Sequence, residues 1–163
     1  MERHPVILSI AGSDCSGGAG IQADIKTISA LGGYAASAIT AITIQNTLGV
    51  RAVQSIAPDI VRGQIEAVMD DLQPVAIKIG MVNDIQIVRV ISDCLQKYSP
   101  AYVVYDPVMV STSGKKLMTD EAIEEIKKES RINDNRQDNQ SESRNLTYFL
   151  RGSITRKLNE KGN

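Results

Sequence analysis

Val6-Ile-Leu-Ser-Ile-Ala-Gly-Ser-Asp-Cys-Ser-Gly-Gly-Ala-Gly20 is the stretch on which the fold turns. Val6 to Ile10 form a short apolar run of the kind a buried strand carries, and the run closes at Ala11-Gly12. A glycine-rich segment over 12–20 follows. Ile21, Ile25, Ile28 and Leu31 then recur at three- and four-residue spacing, which predicts a helix that Gly32-Gly33 stops. The alternation continues outward. Tyr34 to Ile44 predicts a second strand ended by Gln45-Asn-Thr, and Val50 to Ile56 a short third one. Pro58 opens a helix carrying Ile60, Val61, Ile65, Val68 and Leu72. Val75 to Ile79 reads as a strand, Asp84 as the cap of a helix bearing Ile85, Val88, Ile91 and Leu95, and Tyr102 to Tyr105 as a further strand. Thr119 looks like the cap of a helix over Ala122 to Lys128. Strands alternating with crossover helices predict an α/β fold with a parallel sheet covered on both faces.

Composition narrows the function classes. The 163 residues are 42% hydrophobic and 23% charged, with a net charge of −1, which suits a globular domain and offers no bulk attraction to nucleic acid or anionic membrane. Two cysteines, Cys15 and Cys94, cannot form a disulfide scaffold, so the cytoplasm is the expected compartment. No apolar stretch reaches the roughly 20 residues of a membrane helix. A seam follows Glu129. The fourteen Ala and thirteen Val all precede it, while six of the eight Asn lie beyond it. Net charge changes from −4 over 1–129 to +3 over 130–163. The polar segment from Ser130 to Arg144 buries too little apolar area to order itself, so the last 34 residues are expected to be disordered or loosely helical.

In a parallel sheet, ligands bind outside the carboxyl ends of the strands. Four clusters fall there. Gly17, Gly18 and Gly20 allow a ligand to approach bare backbone N–H groups at a helix N-terminus, although a plain strand–helix turn would use glycine too. The segment is not a Walker A loop, because Gly18-Ala19 stands where Lys-Ser/Thr is needed. Asp24 is expected in the first turn of the next helix, as a ligand group or a structural cap. Gln45 supplies a donor and an acceptor suited to the edge of a heterocycle. Gly80-Met81 offers a soft wall for an aromatic ring. Asp106-Pro-Val-Met109 places a carboxylate where it can manage Mg²⁺, usually through water, or simply cap. The single histidine, His4, argues against a His-based triad or a His-rich metal site.

Four ordered strings then carry a resemblance: 10–24, from Ile10-Ala-Gly-Ser-Asp to Ile-Gln-Ala-Asp24; Thr43-Ile-Gln-Asn-Thr47; Lys78-Ile-Gly-Met81; and Asp106-Pro-Val-Met109. Residues 6–128 resemble the N-terminal half of the hydroxymethylpyrimidine/phosphomethylpyrimidine kinases, thiamine-pathway enzymes of the ribokinase superfamily. The resemblance implies a three-layer α/β/α, Rossmann-like sandwich, here truncated, in enzymes that are usually homodimers. It implies ATP-dependent phosphorylation of 4-amino-5-hydroxymethyl-2-methylpyrimidine and then of its monophosphate. Related enzymes accept pyridoxal instead. By the matching strings, Gly12, Ala19, Asp24, Gln45, Met81 and Val108 would line the pyrimidine pocket, Gln45 would hydrogen-bond the ring, and Asp106 would serve Mg²⁺ and ATP. The family's Gly-Thr-Gly anion hole and catalytic base belong to its second half, and no Gly-Thr-Gly string occurs in this sequence. Residues 1–129 are therefore expected to be the first part of a kinase domain, 130–163 to be foreign to it, and a non-catalytic pyrimidine-binding fragment is the alternative to a kinase.

Overall fold

A computed structural model describes residues 4–106. Val108, the helix expected over Ala122 to Lys128 and the segment beyond Glu129 lie outside the described residues. The elements run β1 (Val6–Asp14), α1 (Gly20–Ala30), β2 (Tyr34–Asn46), β3 (Gly49–Ser55), α2 (Pro58–Asp71), β4 (Ala76–Ile79), α3 (Ile85–Tyr98) and β5 (Val103–Tyr105). They form one five-stranded sheet in the order β3, β2, β1, β4, β5.

The sheet is parallel except at one edge. β1 pairs in parallel with β2 and β4, and β4 with β5, whereas β3 runs antiparallel to β2, with Asn46 opposite Gly49. The all-parallel expectation fails there for a geometric reason. Thr47 and Leu48 alone join the two strands, and a parallel return needs a crossover of a dozen or more residues. β1 also outlasts its expected end at Ala11-Gly12. A register shift between Ala11 and Ser13 gives β2 one extra residue, and Ser13 and Asp14 then pair with Ile42 and Thr43.

Alternation along the strands divides the residues between two layers. Leu8 and Ile10, Ala36 and Ala38, and Ile77 and Ile79 pack with Val61, Ile65 and Met69 of α2 and with Ile87, Val88 and Ile91 of α3. Helix α1 packs on β1 and β2, and its Ser9-bonded Asp24 puts it on the face opposite Leu8 and Ile10. The helical periods hold with local exceptions. Ile60 is exposed and Met69 is buried in its stead, while Ile25 and Leu31 sit at the edge of the buried stripe. Ile65 is 1% exposed, so Ile65→Val is expected to cost about 1 kcal/mol, read as a lower urea midpoint at unchanged slope.

The helix ends explain the connections. Gly33 N donates to Ile28 O at 2.9 Å and Gly32 N to Ser29 O at 3.0 Å, with Gly32 at φ +79°, a Schellman stop for α1. Asp84 caps α3 as expected, accepting from Gln86 N at 2.7 Å. Arg62 to Asp93 at 2.6 Å and Lys97 to Glu66 at 3.0 Å tie α2 to α3 on the outer surface, where such pairs add little.

Candidate acceptor-binding site

β2, β1, β4 and β5 are parallel, so their carboxyl ends share one rim. Gly12, Gln45, Met81 and Asp106 all stand at those ends. Gly12 and Met81 are in contact range: a Cβ at Gly12 would overlap Met81 Cε. Met81 is 8% exposed, and its carbonyl accepts from Thr40 Oγ1 at 2.7 Å, which fixes the turn after β4 against β2. Glycine at position 12 is thus what lets Met81 lie across β1.

The glycine-rich loop differs from its expectation. Its amides are not bare. The Asp14 carboxylate accepts from Ser16 N at 2.8 Å and Ser16 Oγ at 2.7 Å through one oxygen, and from Gly18 N at 3.0 Å and Ala19 N at 2.8 Å through the other. Ala19, the N-cap of α1, makes no side-chain cap bond of its own, so Asp14 neutralises this helix entry from five residues upstream. Burial acts to raise the Asp14 pKa, but the hydrogen bonds from Ser16, Ala19 and Gly18 outweigh it, and the carboxyl lies below its ordinary value. Gln22 closes the loop from α1, taking Asp14 N at 2.8 Å and donating to Ser13 Oγ at 2.8 Å. A rigid wall with a charge-satisfied interior results, which suits a neutral ring better than a phosphate.

Gln45 is joined to this wall. Cys15 Sγ donates to Gln45 O at 3.1 Å, so the loop after β1 and the end of β2 meet. Gln45 is half-buried, and Ala19 and Cys15 are exposed on the rim.

Asp24 belongs to the second turn of α1 and not the first, and it does not cap the helix. Its Oδ2 accepts from Ser9 Oγ at 2.5 Å and from Lys78 Nζ at 3.0 Å. Ser9 is fully buried and is the register partner of Lys78 across β1 and β4. Lys78 Nζ also lies 4.0 Å from Asp106 Oδ2. Asp24 and Asp106, distant in sequence, are therefore linked through one ammonium. Lys78 went unassigned at the level of sequence. A signal existed in its position between Ile77 and Ile79 of a parallel-sheet strand, where a charge needs a partner. Tyr105, which precedes Asp106, has its phenol pushed up to about 12 by burial and then by the Asp106 charge, so it stays protonated at neutral pH.

A family model described as Phosphomethylpyrimidine kinase matches residues 14–132. The chain belongs to the phosphomethylpyrimidine kinase family. Among its relatives, a hydroxymethylpyrimidine/phosphomethylpyrimidine kinase of Rhizobium meliloti is 54% identical over 118 residues, covering 72% of this chain and 44% of that enzyme. The crystal structure of phosphomethylpyrimidine kinase from Clostridium difficile superposes with a TM-score of 0.71 at 55% identity, over 75% of this chain and 53% of that one. Pyridoxal kinase from Staphylococcus aureus, solved with pyridoxal, gives a TM-score of 0.67 at 32% identity, over 78% of this chain and 45% of that one. The fold is accordingly ribokinase-like, as the sequence resemblance implied. The chain spans less than half the length of the curated phosphomethylpyrimidine kinases it matches. No described helix is long and apolar enough to cross a membrane.

Proposed function

We propose that this chain carries the acceptor-binding half of a hydroxymethylpyrimidine/phosphomethylpyrimidine kinase of thiamine biosynthesis, with ATP as phosphoryl donor. The observation that carries this reading is the shared rim. Gly12 and Met81 are packed together there, Gln45 is held to the glycine-rich loop, and Asp24 is linked to Asp106 through Lys78. Identity of 54% to a hydroxymethylpyrimidine/phosphomethylpyrimidine kinase and only 32% to a pyridoxal kinase favours the pyrimidine over pyridoxal.

In the proposed complex the pyrimidine lies against Gly12, Ala19 and Met81; Val108, assigned to the same pocket by resemblance, lies outside the described residues. Gln45 reads the ring edge with its carboxamide, and Asp24 meets a donor group of the ring. The substrate hydroxymethyl oxygen forms the new bond to the γ-phosphorus, the bond from that phosphorus to the β–γ bridging oxygen breaks, and the alcohol proton leaves to a base. By resemblance the anion hole and that base belong to family segments without a matching string in these 163 residues. This chain's own part in the reaction is to place the acceptor.

Mg²⁺ would sit on the Asp106 side. Among the described residues no group of three or more His, Cys, Asp or Glu gathers to hold a metal. The Asp106 carboxyl is 66% exposed. One exposed carboxylate fits a cation that keeps most of its waters and is shared with phosphate oxygens, and does not fit an all-protein cage. Bound there, the ion would supply neutralisation of phosphate charge. The resemblance also makes a homodimer the proposed assembly.

Calorimetric titration with 4-amino-5-hydroxymethyl-2-methylpyrimidine tests the pocket. The wild-type chain is expected to bind it in preference to pyridoxal, and Gln45→Ala to lose at least about ten-fold in affinity through two unmade hydrogen bonds. Equal affinity of the wild type for both ring systems, or an unchanged Gln45→Ala, refutes the pocket as drawn. A coupled ADP-release assay on the same chain separates a kinase from a binding fragment.

A further inference from the structure

Lys78 is not placed against the ring in the pocket just described, yet its surroundings are built around it. It stands in β4 between the buried Ile77 and Ile79, opposite Ser9 on one neighbouring strand and Val104 on the other. Its side chain is 23% exposed and that of Asp24 18%. The ammonium reaches Asp24 Oδ2 at 3.0 Å and Asp106 Oδ2 at 4.0 Å. Ser9, fully buried, donates to the same Asp24 oxygen. Three separate elements, α1, β4 and the end of β5, therefore converge on one cation. Gly80 keeps the slot open, because a Cβ there would come within 2.9 Å of Lys78 Nζ and 3.0 Å of Ala11 Cβ.

We propose that Lys78 is the positioning residue of the acceptor site, fixing Asp24 by one oxygen so that the other is presented to the bound ring. Oδ2 is occupied by Ser9 and Lys78, and among the described residues Oδ1 accepts no hydrogen bond. A carboxylate held in this way cannot rotate to satisfy itself elsewhere, and its remaining oxygen selects a ligand that brings an N–H or O–H donor. The same ammonium attracts Asp106, so the carboxylate beside the acceptor and the carboxylate on the phosphate side share one anchor. Lys78 acts through Asp24 and is not itself placed against the ring. Because this inference rests on the pyrimidine reading, its test begins with the wild type.

The experiment titrates 4-amino-5-hydroxymethyl-2-methylpyrimidine into the wild-type chain, Lys78→Met, Lys78→Arg, Asp24→Asn and the Asp24→Asn/Lys78→Met double variant, with a thermal melt recorded for each. Lys78→Met is expected to weaken binding at least about ten-fold while Lys78→Arg stays within about three-fold, since the guanidinium keeps the charge against Asp24. The double variant is expected to bind no worse than the weaker single variant, the signature of two residues acting as a unit. Lys78→Met binding like wild type, equal losses in the Arg and Met variants, or additive losses in the double variant each overturn the proposal. Should Lys78→Met fail to fold, Gly80→Ala retains both charges and crowds the ammonium, and its thermal melt reads separately what the tight contact with Ala11 Cβ costs. A loss of binding there supports the proposal and unchanged affinity overturns it. No binding by a folded wild type defeats the pyrimidine reading itself, and so is told apart from failure of the Lys78 assignment.

Discussion

Gly20→Ala is expected to cost about 4 kcal/mol of folding stability. Gly20 opens α1 at φ +56°, in the left-handed region that an L side chain enters at a cost of about 1 kcal/mol. A Cβ would also overlap the Gly12 carbonyl oxygen and approach the Gly12 carbonyl carbon to 3.2 Å. Both are backbone atoms of β1, so no side chain can swing away. Relief requires the helix entry to separate from the strand, breaking the Ser13 and Gly20 bridge. Gly32→Ala is the internal control. Gly32 has φ +79° but nothing within 4 Å of a Cβ, so it should lose only about 1 kcal/mol. Urea unfolding of both variants checks the difference; equal losses would mean that the crowding at Gly12 is not felt.

Asp14→Ala is expected to cost about 3 kcal/mol. The carboxylate accepts four hydrogen bonds from Ser16, Gly18 and Ala19 and is 4% exposed. Hydrogen bonds to a charged acceptor contribute about 1.5–3 kcal/mol each, and water at the exposed loop replaces part of what is lost. Asp14→Asn keeps an acceptor and should fall between. The pH dependence has a definite sign. The folded pKa of Asp14 is below its ordinary 3.8, so its stabilisation is fully present above that value and is lost as pH falls through the lower folded one. Wild type should therefore lose its advantage over Asp14→Asn on acidification from pH 5 toward pH 2, followed by thermal melts. A constant advantage across that range would contradict the assignment.

The fold was legible where periodicity and turn chemistry agree. The Ile21 and Ile28 stripe, the Gly32-Gly33 stop and the Asp84 cap each follow from local rules, and each forms. The edge strand was legible as a strand but not in direction, because direction depends on the Thr47-Leu48 connection and not on the pattern of Val50 to Ile56. At the site, residue types at strand ends pointed to one rim of the sheet, but pairing could not be read from them. Asp14 looked like one polar residue of a glycine-rich loop and proves to be what holds that loop's amides. Asp24 looked like a residue for a helix dipole and instead faces the sheet, one turn further along α1. Its partners Ser9 and Lys78 lie 15 and 54 positions away, and only the β1–β4 register brings them together.

That register also governs the order in which the polypeptide can assemble. β1 lies at the middle of the sheet although it comes first in the chain, with Val6 paired to Tyr34 on one side and Ile7 to Ala76 on the other. During synthesis β1 can zip to β2 early, while its opposite flank stays open until β4 has left the ribosome. Such distant pairing is slow, and the uncovered flank is a template for another nascent chain. Yield from translation should thus respond to holdase chaperones that shield the first eighty residues, and slowing elongation just after β4 should help more than slowing it after β2.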